Sequence, residues 1–165
     1  MNIIQSYWSK PFYSSKDSSW ERRKAGGWRH RKFFYMSWAL SSLLLKNNYG
    51  KVSLMTDSLG AEILGDTLKL PFDNISTELD VLCDYHEDLW AVGKIYTYGR
   101  QDNSFLHFDS DVFVWEKFDN DILNAELIAQ NIEINFPLDK QSLQEIYRCF
   151  ELPTWIQQFI YQSDL

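Results

Sequence analysis

The chain has 165 residues, 45% of them hydrophobic and 16% aromatic, with a formal net charge of −7. That size and apolar content suit one domain with a buried core and argue against intrinsic disorder. An acidic body with one basic stretch argues against a broad nucleic-acid-binding face, which needs a positive surface.

Two cysteines, Cys83 and Cys149, define neither a disulfide framework nor a metal spacing. The start, MNIIQSYWSKPF, lacks a signal-peptide pattern, and no apolar run approaches the roughly 20 residues of a membrane helix. The expectation is a soluble cytoplasmic protein without a membrane span.

Residues 2–8 (NIIQSYW) read as a short strand. Residues 9–32 hold Pro11, Gly26-Gly27 and six Lys/Arg within 21-ERRKAGGWRHRK-32, and read as a long loop. Residues 33–50 repeat apolar positions at three- and four-residue steps, which predicts a helix stopped by Lys46, Asn47, Asn48 and Gly50. Residues 52–57 (VSLMTD) alternate as a strand does, and 58–68 predict a helix capped by Asp57 or Ser58. A short strand over 74–79 and a helix over 87–101 follow, then the strand 104-SFLHFDSDVFVW-115. Asp139 can cap a helix over 140–150, and Pro153 opens another over 154–162.

Strands and helices alternating in this way predict an α/β layer fold with a mostly parallel central sheet flanked by helices. In such sheets ligands sit at the carboxyl ends of the strands. The basic loop after the first strand, Asp57 after the second, and Asp109 and Asp111 in the fourth converge on that edge. In a strand Asp109 and Asp111 share one side. Two neighbouring carboxylates in an apolar run are costly unless paired, and a divalent cation with a bound diphosphate removes the cost. The bland alternative is a turn with two solvated Asp; the absence of Gly, Asn or Pro around the pair argues for a strand. Arg22, Arg23, Arg29 and Arg31 are candidates for an anion, since guanidinium suits bidentate phosphate contact. Trp38 and Trp90 are expected in the core, whereas Trp8 and Trp28 flank the basic loop and are free to stack on a base or sugar. His107 is expected to be a hydrogen-bonded core residue rather than a third ligand, and no Ser–His–Asp set is visible.

Five pieces carry a family resemblance: 3-IIQSYWSKPF-12, 35-YMSWALSSLLL-45 leading to 52-VSLMTDSLGAEIL-64, 88-DLWAVGKIYTY-98, 106-LHFDSDVFVWEKF-118 and 126-ELIAQNIEI-134. In this order, over roughly residues 1–135, the chain resembles the GT-A type glycosyltransferases, and most of all glycosyltransferase-like bacterial proteins with a D-x-D motif. The resemblance implies a Rossmann-like GT-A fold and transfer of a sugar from a nucleotide-diphosphate donor with Mn²⁺ or Mg²⁺. It implies that Asp111 is the main metal ligand and that Asp109 contacts the ribose, the metal or both. Gln5, Ser6 and Trp8 would lie against the base and ribose, chiefly through their backbone, and Trp90 and Lys94 would approach the donor. A single GT-A-like domain over 1–165 would then comprise a nucleotide-sugar part, 1–118, and a helical part, 119–165. The residues after Asp111 are fewer than the family's acceptor-binding segment uses. The alternative is therefore a catalytically incomplete relative that serves as a binding or partner subunit, and an uncovered surface would favour a homo-oligomer or a protein partner. A phosphohydrolase of the haloacid dehalogenase type ranks low, because that family places its acidic pair after the first strand.

Overall fold

The computed structural model describes residues 1–13 and 25–130, together with positions 146, 148, 149, 151, 153 and 154. The chain divides into two compact units, Met1–Phe118 and Asp119–Leu165. In the first, the elements run β1 (Asn2–Tyr7), α1 (Lys10–Tyr13), α2 (Arg31–Tyr49), β2 (Ser53–Thr56) and α3 (Ser58–Gly60), which continues as a π-helical stretch over Ala61–Thr67. Then come β3 (Asn74–Ser76), a 3₁₀ turn over Glu78–Leu82, α4 (Val92–Gly99) and β4 (Phe105–His107). The second unit contains the short helix α5 (Asn120–Leu123), capped by the Asp119 carboxylate on the Ile122 amide at 3.0 Å. The helices expected over 140–150 and 154–162 fall mainly outside the described residues.

The four strands form one sheet in the order β3-β2-β1-β4, with every pair parallel. The expected α/β architecture with a parallel sheet is therefore present. Both faces are covered, and neighbours on a strand go to opposite sides. Tyr7 and Leu54 pack with Phe34 and Trp38 of α2 and with Leu64 of the π-helical stretch. Trp8 and Met55 pack on the other face with Leu79 and Leu82 of the 3₁₀ turn. Each fully buried Leu or aromatic side chain here contributes on the order of 2 kcal/mol.

Helix α2 forms because Phe34, Trp38, Ser41 and Leu45 recur on one face and are buried there. His30 Nδ1 accepts from the Lys32 amide at 3.1 Å at its start. Gly50, at φ +80°, ends the helix in the left-handed region and donates to the Lys46 carbonyl at 2.9 Å.

Four boundaries differ from the sequence expectation. The long loop contains the short helix α1, held because Phe12 packs its ring against Tyr7 and Phe34. The third strand stops at Ser76, and Asp80, in the 3₁₀ turn that follows, accepts from the Ser58 amide at 2.8 Å and the Ser58 hydroxyl at 2.6 Å. The helix expected from residue 87 starts at Val92, since residues 86–91 form turns in which His86 Nδ1 takes the Asp88 amide at 3.2 Å. The fourth strand ends at His107, well short of Trp115.

Candidate functional site at the carboxyl edge

The shortened β4 changes the setting of the acidic pair. Asp109 and Asp111 do not lie within a strand. Asp109 opens a tight turn that contains Asp111, and in it the Val112 amide donates to the Asp109 carbonyl at 3.1 Å. Asp and Ser form such turns through their own side chains, so no Gly, Asn or Pro is needed. The turn follows directly from the sheet, because the Phe108 amide still donates to the Ile4 carbonyl at 3.0 Å. Helix α2 holds it from behind. Gln5 Nε2 donates to Ser41 Oγ at 3.0 Å, and Ser41 Oγ donates to the Val112 carbonyl at 2.8 Å. Asn48 Nδ2 adds a bond to the Val114 carbonyl at 2.6 Å.

In chain order the sheet grows from β1 to β2 to β3, then returns to the far side of β1 with β4. The strand order therefore reverses between β1 and β4, and a crevice outside the carboxyl ends of strands at such a reversal is the usual ligand position in open parallel sheets. Several side chains meet there. Ser6 Oγ lies 2.8 Å from His107 Nε2, and Tyr98 Oη lies 3.3 Å from His107 Nδ1. Lys94 Nζ donates to Asp109 Oδ2 at 2.7 Å and sits 5.2 Å from the centre of the Trp90 ring. Asp109 Oδ1 is 3.9 Å from His107 Nδ1. The His107 side chain is only 6% exposed, and burial pulls its pKa down to about 4, assisted by Lys94 and opposed by Asp109. It is a neutral imidazole at physiological pH. Burial, and then the Asp109 charge, raise the pKa of Tyr98.

Of the residues expected at the site, Ser6, Lys94, Trp90 and Asp109 are brought together. Trp90 is 62% exposed and not in the core, because it precedes α4 in a turn rather than lying on an apolar helix face. Asp111 is exposed, with no hydrogen bond or ion pair to a described residue. Trp8 differs from the expectation of a ring free to stack. The Trp8 ring is buried in the core with Met55 and Leu79, and the Gln5 side chain is fully buried against Ser41, which leaves the backbone contact expected of both residues independent of their side chains. Trp28 likewise packs against the α2 core.

The basic residues separate. Arg22 and Arg23 lie outside the described residues. Arg29 is exposed. Arg31 donates to the hydroxyls of Tyr13 and Tyr35, with 2.8 Å to the latter, and these three residues with Ile63, Thr67 and Leu68 line a cavity of about 340 Å³. Its guanidinium stacks 4.7 Å and 5.4 Å from the two rings, and none of these contacts is with the residues around Asp109.

A second cleft of about 300 Å³ opens at the carboxyl ends of β1 and β2, between Trp8, Lys10, Asp57, Ser58 and Asp80. Asp57 is the cap of α3: Oδ1 takes the Gly60 amide at 2.8 Å, and Oδ2 takes both the amide and the hydroxyl of Ser9 at 2.8 Å. Every acceptor direction it uses is structural, as its position before a helix suggests.

Sequence reasoning missed Tyr98 and Ser41. Tyr98 stands four residues after Lys94, which places the two on one helix face. Ser41 is a polar residue on the apolar side of α2, and a buried hydroxyl there signals a partner across the interface.

A model of a family of unknown function, DUF6734, matches residues 1–164. The chain belongs to this family. No curated protein and no solved structure matches it. For this DUF6734 chain, then, the chemistry available at the β1/β4 crevice comes from its own groups. They are two carboxylates on a pinned turn, one ammonium, one exposed indole and a neutral imidazole. Among the described residues no helix is long and apolar enough to cross a membrane.

Proposed function

We propose that this chain binds a nucleotide-diphosphate sugar at the β1/β4 crevice and acts as a metal-dependent glycosyltransferase domain of the GT-A type. The observation that supports this is the Asp109–Asp111 turn, fixed by Ser41 beside the point where the strand order reverses, with Lys94 and Trp90 facing it.

The donor set suits a hard divalent cation such as Mn²⁺ or Mg²⁺. Among the described residues no group of three or more His, Cys, Asp or Glu is placed to hold a metal. Among the described residues the site offers the two carboxylates of Asp109 and Asp111, and substrate phosphates and water would complete the shell, which is how Mg²⁺ is usually bound. Asp109 and Asp111 would hold such an ion, which would supply positive charge to offset that of a departing nucleoside diphosphate.

Asp111, exposed at the tip, is the principal ligand, and Asp109 is the second or a ribose acceptor. Lys94 is already at the carboxylate, and because both partners are partly exposed, opening the pair costs only about 0–1 kcal/mol. Its ammonium can then turn to a phosphate oxygen. Trp90 presents a ring face to stack on the sugar or base. The backbone after Ser6 forms the opposite wall.

Titration calorimetry with UDP and with GDP, with and without Mn²⁺, tests this. Binding of one nucleotide that requires Mn²⁺ and weakens at least about tenfold in Asp111→Ala is expected. Absence of metal-dependent binding of either nucleotide would overturn the proposal. Binding with no release of nucleoside diphosphate from nucleotide sugars would assign the chain instead the role of a catalytically incomplete binding or partner subunit.

A further inference from the structure

From Phe33 to Tyr49, the positions of α2 that remain exposed are Phe33, Met36, Leu40, Leu43 and Asn47. Their spacing is three, four, three, four. This is the repeat of a two-helix seam, in which alternate positions interlock with a facing helix. The outer face of a helix that flanks a sheet is ordinarily polar. Here four of the five residues are large and apolar, at 39%, 61%, 38% and 55% exposure for Phe33, Met36, Leu40 and Leu43. The opposite face of the same helix is fixed by Phe34, Trp38, Ser41 and Leu45, so the stripe is held on a rigid support.

We infer that this stripe is the seam of a homodimer, α2 against α2 of a second copy. Three observations favour a second copy over another partner. First, no position of the stripe is ionisable, Lys46 beside it is paired with Asp73 at 2.5 Å, and Lys32 at its start lies over the stripe's own Phe33 ring at 5.1 Å. A copy of this chain, itself at −7, meets least repulsion along such an uncharged band, whereas a charged foreign partner finds no complementary charge there. Second, the pattern is self-complementary. Leu40 is the midpoint of the stripe, so a two-fold axis brings Leu40 near its own counterpart whether the helices run parallel or antiparallel, as an isologous contact requires. Third, the area suffices for a weak dimer. Four large side chains at these exposures present on the order of 400 Å² per copy. Their half-buried flanks Ala39 and Leu44 extend this toward the small end of specific interfaces, about 1,000 Å² in total.

Sedimentation velocity of the full chain from about 1 to about 200 µM, where interfaces of this size assemble, is the test. The wild type should pass from monomer to dimer. Leu40→Glu and Leu40→Lys should each weaken association at least about tenfold, with unchanged circular dichroism and melting temperature, since the side chain is solvent-facing in the monomer. Mixed one to one, the two variants should associate again. A wild type that stays monomeric throughout overturns the inference, as do variants that dimerise like the wild type. So does a monomeric wild type whose stability drops on Leu40→Glu, which would mean that the stripe is covered within one chain.

Discussion

Lys94 Nζ and Asp109 Oδ2 stand 2.7 Å apart at the carboxyl edge of the sheet, an ammonium on α4 and a carboxylate on the turn after β4. The same ammonium lies 5.2 Å from the centre of the Trp90 ring, within cation–π range. Both partners are partly exposed, so the pair adds little to folding and is available to a ligand. Lys94→Met is expected to change the unfolding free energy by less than about 1 kcal/mol while lowering affinity for the nucleotide at least about tenfold. Urea denaturation and calorimetry on the same variant separate the two effects. Equal losses in both would place Lys94 in the fold and not in the site.

Ser41 connects the core to that turn. Ser41→Ala removes the acceptor of Gln5 Nε2, which is buried, and the donor to the Val112 carbonyl, which is partly so. The expected cost is about 1–3 kcal/mol. Nucleotide affinity should fall as well, because the carboxylates lose their anchor. Ser41→Thr, which keeps the hydroxyl, should restore much of the affinity if turn position is what matters. Affinity that stays at the wild-type level in Ser41→Ala would refute the coupling.

His107 gives the first unit a pH dependence of known sign. Its folded pKa, about 4, lies below the ordinary 6.5, chiefly through burial. Below pH 6.5 the unfolded chain takes up a proton that the folded chain refuses. Stability is therefore complete above 6.5 and is lost as pH falls from 6.5 toward 4, by on the order of 3 kcal/mol in full. The groups facing the ring are Asp109, Lys94, Tyr98 and Ser6. Asp73 and Glu78, held below the carboxylate range by hydrogen bonds from Lys46 and Arg100, lose their contribution only at the acid end of that window and below it. Chemical denaturation between pH 4 and 7 should show a steeper decline for the wild type than for His107→Gln. Parallel curves would count against a buried neutral imidazole.

Gly60 is required for space, not for an unusual backbone angle. A Cβ there would collide with Thr56 Oγ1, which is committed to the Tyr7 carbonyl at 2.5 Å, and would stand 2.8 Å from the Tyr7 ring. Gly60→Ala is expected to destabilise by about 1–3 kcal/mol, read as a lower urea midpoint at constant slope. Gly99→Ala, with open space around its Cβ, is the control.

Much of the fold could be read from the residues. Apolar periodicity located β1, α2 and β2 to within two residues, because each is long or well capped and its pattern has one period. Asp57 before a helical run identified its own cap. The failures share a cause. In SFLHFDSDVFVW the apolar residues run past the end of pairing, since Val114 is buried although it lies beyond the last bond to β1, which Phe108 makes. Hydrophobicity reports burial, and only partners determine whether a buried segment is a strand. Trp8 and Trp90 were exchanged in role for a similar reason: which ring faces water depends on what packs above the sheet, and a single residue does not carry that information. At the site, Asp109 and Lys94 were individually visible, but their pairing depends on a strand order that local patterns do not encode.

The Asp57 carboxylate has a mechanical meaning beyond capping. By taking the Ser9 amide and hydroxyl with one oxygen and the Gly60 amide with the other, it welds the exits of β1 and β2 into a single piece. On the β4 side the turn is held by Ser41 and Asn48 of α2, and Lys94 of α4 meets Asp109 through a partly exposed pair. The edge is thus tied by buried bonds where β1 and β2 end and by a partly exposed ion pair where α4 meets the Asp109 turn, so loss of the ion pair would leave the two strand exits joined.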